Sequence, residues 1–285
     1  MSYLSLPQQL HQQFVEIIQN NTLAELEQNP FDYCDKFEQN LWQDFSERLY
    51  QQWREHHWCV IGNIPNESAD GLVLAALALN HQYKTYRQGK IVKHFKMSPW
   101  TKDLSHTLTA GYFHTDINTT EDPPEITLIQ CHKPDPTQGA GELRVAVLTD
   151  LIAYLEQQGL TDTLAFLADE NVRMLDDLKA DCWQGRIVQD GTIRFHPETL
   201  RAAAKRYGLD REYLEKQLEI LHQACMRVAH VINLAPGEAL VVSNHKALHY
   251  RGECTASFEQ FPTKFNAREI FVLHLLSQKL SPKVA

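Results

Sequence analysis

Apolar positions in the first third of the chain recur with helical period. Leu10, Phe14, Ile17 and Ile18 fall on one stripe after Pro7, and Phe37, Leu41, Phe45, Leu49 and Trp53 repeat at every fourth position after Pro30. The spacing predicts two amphipathic helices, each with one buried face. His57-Trp58-Cys59-Val60-Ile61 then reads as a strand stopped by Gly62, Asn63 and Pro65, and a short helix is expected from about Ala69 to Leu79 with Ser68 as its N-cap. From Gly89 onward the pattern changes to strands: Ile91–Phe95, Gly111–His114, Glu125–Cys131 and Arg144–Leu148. Helical pieces follow at Leu151–Gln157 and Asp162–Leu167. Arg186–Phe195 places two short strands around Asp190-Gly191, a dipeptide whose tolerance of positive φ suits a tight hairpin turn. Leu214, Leu218, Leu221, Cys225 and Val228 stripe one helix over Arg211–Val231, with Asp210 as its cap. Pro236-Gly237-Glu238 turns into a strand at Ala239–Ser243, and Ile270–Leu276 is the last. Strands interrupted by helical insertions, without regular βαβ alternation, predict a mainly β protein with helical additions (α+β). The expected core is an antiparallel jelly roll flanked by helices.

Charge narrows the class of partner. Across 285 residues, 27 Lys+Arg stand against 36 Asp+Glu, a formal net charge of −9. A general nucleic-acid binder needs a concentrated basic surface, so nucleic acid is not expected as a partner. The densest basic stretch, Arg87–Lys96, is interleaved with strand residues and reads as a solvated strand face. No segment approaches about 18 consecutive apolar residues, and the N-terminus lacks a basic region leading into an apolar one, so neither secretion nor a membrane span is expected. Cys34, Cys59, Cys131, Cys182, Cys225 and Cys254 are scattered with no C-x-x-C pair, which suits reduced core residues of a cytoplasmic protein. No linker divides the chain. We expect one domain over 1–285, with a helical region over 1–56 packed on a jelly-roll core of about 58–276.

No P-loop, G-x-S-x-G or H-E-x-x-H is present, and Gly139-Ala-Gly141 lacks the third glycine of a dinucleotide fingerprint, so it reads as a turn. Metal ligation by histidine and carboxylate remains. The two His-x-acid pairs, His114-Thr-Asp116 and His196-Pro-Glu198, are no more than this composition produces by chance, so context must separate them. The first ends a strand-like run, where a period of two puts both side chains on one sheet face. In the second, proline breaks the ladder where a helix begins, and Glu198 suits the first helical turn. A third ligand is needed, and His245 and His249 are the candidates. Two histidines and one carboxylate on one face of a metal leave positions open for a co-substrate and O2, the arrangement of non-haem Fe(II) oxygenases.

Phe113-His-Thr-Asp116, Pro123-Pro-Glu-Ile-Thr-Leu-Ile-Gln-Cys131, Ala140-Gly-Glu-Leu-Arg-Val-Ala146 and Asn244-x-x-x-x-His249-x-Arg251 occur in an order that resembles the taurine dioxygenase/clavaminate synthase-like superfamily. These are Fe(II)- and 2-oxoglutarate-dependent oxygenases. The resemblance covers roughly Trp58 to Leu276 and implies a double-stranded β-helix, a jelly-roll variant, with His114, Asp116 and His249 as iron ligands. His245 then takes a position that is not a ligand and is expected as an exposed loop histidine. The family's arginine for the far carboxylate of 2-oxoglutarate is best matched by Arg268, in Asn266-Ala-Arg-Glu-Ile-Phe; Arg251, which follows His249 too closely to face the same way easily, is the fallback. The long interval from His249 to Arg268 implies a small insertion within Glu253–Lys264. Leu143 stands where the family often has a threonine, and leucine cannot give the co-substrate that hydroxyl. Asp116 stands where related halogenases carry Gly or Ala, which implies oxygenation or desaturation.

The resemblance implies hydroxylation of an aliphatic C–H of a small molecule, with succinate and CO2 released. The Pro-Pro-Glu and Cys131–Ala146 regions look closer to the branch that oxidises amino acids, so an amino acid or its derivative is the expected substrate. Tyr112, Asn118, Arg144 and Arg251 are the candidate pocket residues. Two other readings stay open at this point: a non-catalytic jelly roll that binds a metal or metabolite, and a zinc hydrolase using the same ligands.

Overall fold

A computed structural model of the chain describes residues 2–176 and 181–279. A short strand β1 (Tyr3–Ser5) leads into helices α1 (Gln8–Asn20), α2 (Leu23–Gln28) and α3 (Gln39–His56). Strand β2 (Trp58–Gly62), helix α4 (Asp70–Ala76) and strands β3 (His81–Tyr83), β4 (Val92–Lys96), β5 (Ile126–Lys133) and β6 (Leu143–Val147) follow. A mostly helical excursion carries α5 (Leu148–Gln157), α6 (Thr161–Ala168), β7 (Arg173–Asp176), β8 (Asp181–Gln184), β9 (Val188–Gln189), β10 (Thr192–Ile193), α7 (Pro197–Tyr207) and α8 (Arg211–Val228). The chain returns through β11 (His230–Ile232), β12 (Ala239–Ser243), β13 (Ala247–Arg251), β14 (Ala256–Gln260), β15 (Lys264–Ala267) and β16 (Glu269–Lys279).

Two sheets face each other. The larger runs β1-β2-β12-β5-β16-β3, with β4 also on β16, and the smaller runs β11-β6-β13. Side-chain parity sorts the residues into three apolar layers. Val60, Leu240, Val242, Ile129, Ile270 and Val272 of the large sheet pack against Leu143, Val145, Val147 and Ala247 of the small one. The alternate residues of the large sheet, among them Cys59, Ile61, Val241, Leu128, Phe271 and Leu273, meet the N-terminal helices on its outer face. Ala146, Leu248 and Tyr250 turn outward from the small sheet onto α5–α8. In the N-terminal layer Leu10 and Phe14 of α1 are fully buried, each such side chain contributing about 1.5–3 kcal/mol of burial.

The expected helices and most strands are present, with instructive shifts. In α3 the buried face is Trp42, Phe45, Leu49 and Trp53, while Leu41 is half-buried and Phe37 precedes the helix. A strict repeat of four drifts on a helix of 3.6 residues per turn, and Trp42 takes the place expected for Leu41. Ser68 does not cap α4; its hydroxyl bonds the Asp70 carboxylate and Ala69 is the N-cap. The helix expected to reach Val231 stops at Val228, because His230–Ile232 pair with β6. The Asp190-Gly191 hairpin is present with both residues at positive φ, 51° and 66°. Asp210 caps α8 through the Tyr213 N–H. The insertion expected within Glu253–Lys264 is the β14–β15 hairpin.

Candidate metal centre

The strand expected over Gly111–His114 is absent. His114 instead makes a single antiparallel bridge to His249 of β13, the pair exchanging N–H···O bonds of 3.0 and 3.1 Å. That pairing sets the two imidazoles side by side, ring centroids 4.3 Å apart. One residue on, the Thr115 N–H donates to Phe195 O at 2.7 Å. Asp116 is then gripped by a side chain rather than a strand. Its N–H donates to Asn244 Oδ1 at 2.6 Å, while Asn244 Nδ2 donates to the carbonyls of Asp116 at 3.0 Å and Pro124 at 2.9 Å. Ile117 then turns the chain at a φ of 53°. The carboxylate therefore reaches the histidines through a loop pinned by Asn244, and not by strand parity. Asn244, read from the sequence as a motif residue five positions before His249 and given no role, is the residue that shapes the site.

Among the described residues, His114, Asp116 and His249 form a group whose ligand atoms all lie within 4.8 Å of one another. Asp116 Oδ1 is 3.6 Å from His114 Nε2, and Oδ2 is 3.4 Å from His249 Nε2. Ligands about 2.1 Å from a metal on one octahedral face sit roughly 3 Å apart, so small side-chain adjustments accommodate an ion. His114 is prepared for it: Nδ1 bonds Tyr112 O at 2.8 Å, which holds the proton there and leaves the Nε2 lone pair facing Asp116. Against the burial that pushes its carboxyl up, the neighbouring His249 and His274 hold Asp116 well below the usual carboxylate range. Burial and the neighbouring His114 push His249 down, which keeps its imidazole neutral as a ligand must be.

A cavity of about 770 Å³ lies between the sheets, with all three residues on its wall. Tyr112, Asn118 and Arg251 also line it, as does Leu143. Asn118 is buried and donates to Thr199 Oγ1 at 2.8 Å; the Tyr112 ring lies 5.0 Å from the Arg201 guanidinium. Arg144 does not line the cavity. Leu143 and Val145 point inward, so Arg144 points outward, opposite Tyr250 in register, and bonds Glu142 at 3.2 Å. Arg251 corrects a second expectation, since its two-residue spacing from His249 on β13 does place it on the same face. Its guanidinium is already occupied by the Thr109, Leu104 and Gly252 carbonyls and by Cys254 Sγ.

Arg268, between β15 and β16, is 4% exposed, and its Nη1 has no hydrogen-bond partner among the described residues. Room for it comes from Gly141, where a Cβ would come within 2.9 Å of Arg268 Cδ. A buried guanidinium with an empty donor fits a ligand carboxylate, which would offset its desolvation. His245 corrects a third expectation: it is half-buried rather than exposed, and it stands outside the metal group.

Sequence reasoning passed over three neighbours. Thr127 Oγ1 donates to Asp116 Oδ2 at 2.8 Å, and His274 Nε2 lies 3.1 Å from the same oxygen. His196, dismissed as a ligand, is the N-cap of α7: its Nδ1 accepts the Glu198 N–H at 3.2 Å, and its ring centroid sits 4.9 Å from that of His114. Only its place at the junction of β10 and α7 brings it there, and no local motif marks that.

Burial, with His114 beside it, pushes His196 from 6.5 down to about 3. Between those values the unfolded chain takes up a proton that the folded one refuses, so stability falls as pH drops through the window. This histidine supplies a slope of up to about 1.4 kcal/mol per pH unit. Urea unfolding of the metal-free protein at pH 7 and pH 5 should show it, and His196→Asn, which keeps a capping acceptor, should flatten the slope by about one proton. An unchanged slope would assign the acid sensitivity to other groups.

Solved structures of one fold match nearly the whole chain. An asparagine oxygenase in complex with Fe(II), 2S,3S-3-hydroxyasparagine and succinate covers 96% of this chain and 94% of its own at 15% identity, TM-score 0.75. The non-heme iron oxygenase OrfP with Fe and alpha-ketoglutaric acid covers 98% and 94% at 12% identity, TM-score 0.66, and OrfP with Fe, succinate and (3S)-hydroxy-L-Arg gives 0.67 at the same identity. No curated protein matches the chain. The fold is thus that of the jelly-roll oxygenases. Residues 24–146 match the taurine catabolism dioxygenase TauD, TfdA family.

Proposed function

We propose that this protein is an Fe(II)- and 2-oxoglutarate-dependent dioxygenase that hydroxylates an aliphatic C–H of an amino acid or amino-acid derivative. The observation that carries it is one constellation: a two-histidine, one-carboxylate group on a cavity wall, in a chain that also buries an arginine with an unused donor. Fe(II) held by His114, Asp116 and His249 would supply the oxidising chemistry, with 2-oxoglutarate and O2 as co-substrates and succinate and CO2 as by-products. The chain's own contribution is placement. His114 and His249 offer neutral imidazole nitrogens, and Asp116 supplies the only carboxylate of the group. Arg268 meets the far carboxylate of 2-oxoglutarate through a planar fork suited to that geometry. Tyr112, Asn118 and Arg251 flank the space left for the substrate, whose reacting carbon must be held close and shielded from water. The asparagine oxygenase and OrfP complexes hold hydroxylated amino acids together with succinate, which supports the substrate class.

No helix among the described residues is long and apolar enough to cross a membrane. All six cysteines are free, which supports a reducing, cytoplasmic setting.

Anaerobic addition of Fe(II) and 2-oxoglutarate should produce a visible metal-to-ligand charge-transfer band. In air, a panel of free amino acids and their derivatives should raise succinate release above the background without substrate. Absence of the band would overturn the proposal.

A further inference from the structure

Charge on the cavity wall runs against that of the chain, whose formal net charge is −9. Among the described residues, Lys93, Arg201, Lys205, Arg211 and Arg251 line the cavity. The carboxylates on the same wall are Asp116, Asp176 and Glu198, so with its histidines neutral the wall carries an excess of positive charge. Fe(II) and the 2-oxoglutarate dianion would cancel one another there and leave that excess for the substrate. A neutral amino acid is a zwitterion and brings no net charge to meet it. Helix α7 shows where the excess lies. Its cavity face carries Glu198, Arg201 and Lys205, the spacing of one helical stripe. His196, which caps the helix, sets its first turn beside His114, and there the charges are spent: Arg201 bonds Glu198 at 2.6 Å and Glu215 at 2.9 and 2.8 Å. Lys205 stands about 13 Å beyond His196 along the helix, at roughly 1.5 Å per residue. It is exposed and makes no hydrogen bond or ion pair among the described residues. Arg211, which opens α8, is exposed as well, and the Glu215 carboxylate near it is the one Arg201 already grips.

We propose that the substrate is an amino acid or amino-acid derivative bearing an additional anionic group, carboxylate or phosphate, and that Lys205 and Arg211 receive that group at the cavity mouth. The proposal rests on the dioxygenase reading and names the substrate's charge within it. A volume of about 770 Å³, within the range of about 300–1,000 Å³ that holds drug-sized ligands, leaves room for such a group beside the co-substrate. Cations at the mouth of a cleft also raise the local concentration of an anionic substrate.

Matched pairs that differ in one anionic group test it: glutamate with glutamine, phosphoserine with serine, and alanylglutamate with alanylglutamine. Held without O2, the full chain with Fe(II) and 2-oxoglutarate reports binding as a perturbation of its charge-transfer band; succinate release in air gives KM. The anionic member of at least one pair should bind about 10-fold more tightly than its neutral partner. Which pair shows the margin tells carboxylate from phosphate and a free amino acid from an extended one. The margin should shrink as ionic strength rises from about 0.01 to 0.15 M, where the Debye length falls from about 30 to 8 Å. Lys205→Glu and Arg211→Glu should each weaken the anionic member about 10-fold and leave its neutral partner near the wild-type value. Lys205→Gln should weaken it about 3-fold. Both side chains are exposed, so unfolding midpoints should stay near wild type. A band that anionic and neutral members perturb alike, or that none perturbs, overturns the proposal, as does an unchanged preference in both charge reversals. No band at all removes the dioxygenase reading, and this proposal with it.

Discussion

His249→Ala should weaken Fe(II) binding by about two orders of magnitude and remove the thermal stabilisation that the metal confers. A four-ligand structural zinc site binds with an apparent free energy of about 10–16 kcal/mol, so one ligand accounts for about 3 kcal/mol, roughly 100-fold in affinity. The substitution is well confined. His249 pairs with His114 and with Val145 through backbone groups that alanine retains, and its Nδ1 has no partner to lose. The metal-free variant should therefore fold and unfold near the wild-type midpoint. Ligand linkage gives about 2.7 kcal/mol of stabilisation for the wild type at a metal concentration 100 times its Kd. The same concentration would give the variant only about 0.4 kcal/mol after a 100-fold loss. Paired anaerobic unfolding curves with and without Fe(II) measure that difference directly. If the metal-induced shift survives in His249→Ala, the three-residue centre is wrongly drawn.

What the sequence made legible here followed from local order. The strand parity of Leu143–Val147 and Ala247–Arg251 was available in the sequence, and once His249 is placed inward it forces Arg144 outward and Arg251 inward, a deduction open before any coordinates. His114, Asp116 and His249 were recognisable because each sits in a short motif. The strand expected before Asp116 failed because a three-residue loop took its ladder partner from the Asn244 side chain, and a side chain acting as a strand leaves no periodic trace. Strand β1 was missed because three residues are too few to show alternation. Thr127 and His274 were out of reach for a different reason. They converge on Asp116 only because β5 and β16 lie adjacent in the large sheet, a pairing across more than half the chain that no local pattern encodes.

Arg268→Ala should raise the KM for 2-oxoglutarate about 100-fold while leaving Fe(II) affinity close to wild type. A hydrogen bond to a charged group is worth about 1.5–3 kcal/mol, and a guanidinium fork makes two, so loss of roughly 3 kcal/mol is a conservative expectation. Two features of this chain push the dependence toward that arginine. Leu143 lines the cavity without a hydroxyl to offer, and Arg251, the fallback arginine, has its guanidinium tied to three carbonyls and a thiol. Arg268→Lys should recover only part of the loss, because an ammonium is a point charge and lacks the planar fork. Folding should tolerate both changes electrostatically, since each removes or replaces a buried cation that forms no ion pair among the described residues. Steady-state succinate release against 2-oxoglutarate concentration, at saturating Fe(II), gives the KM. A KM within about 3-fold of wild type in Arg268→Ala, well short of the loss of one charged hydrogen bond, would move the co-substrate's far carboxylate away from Arg268.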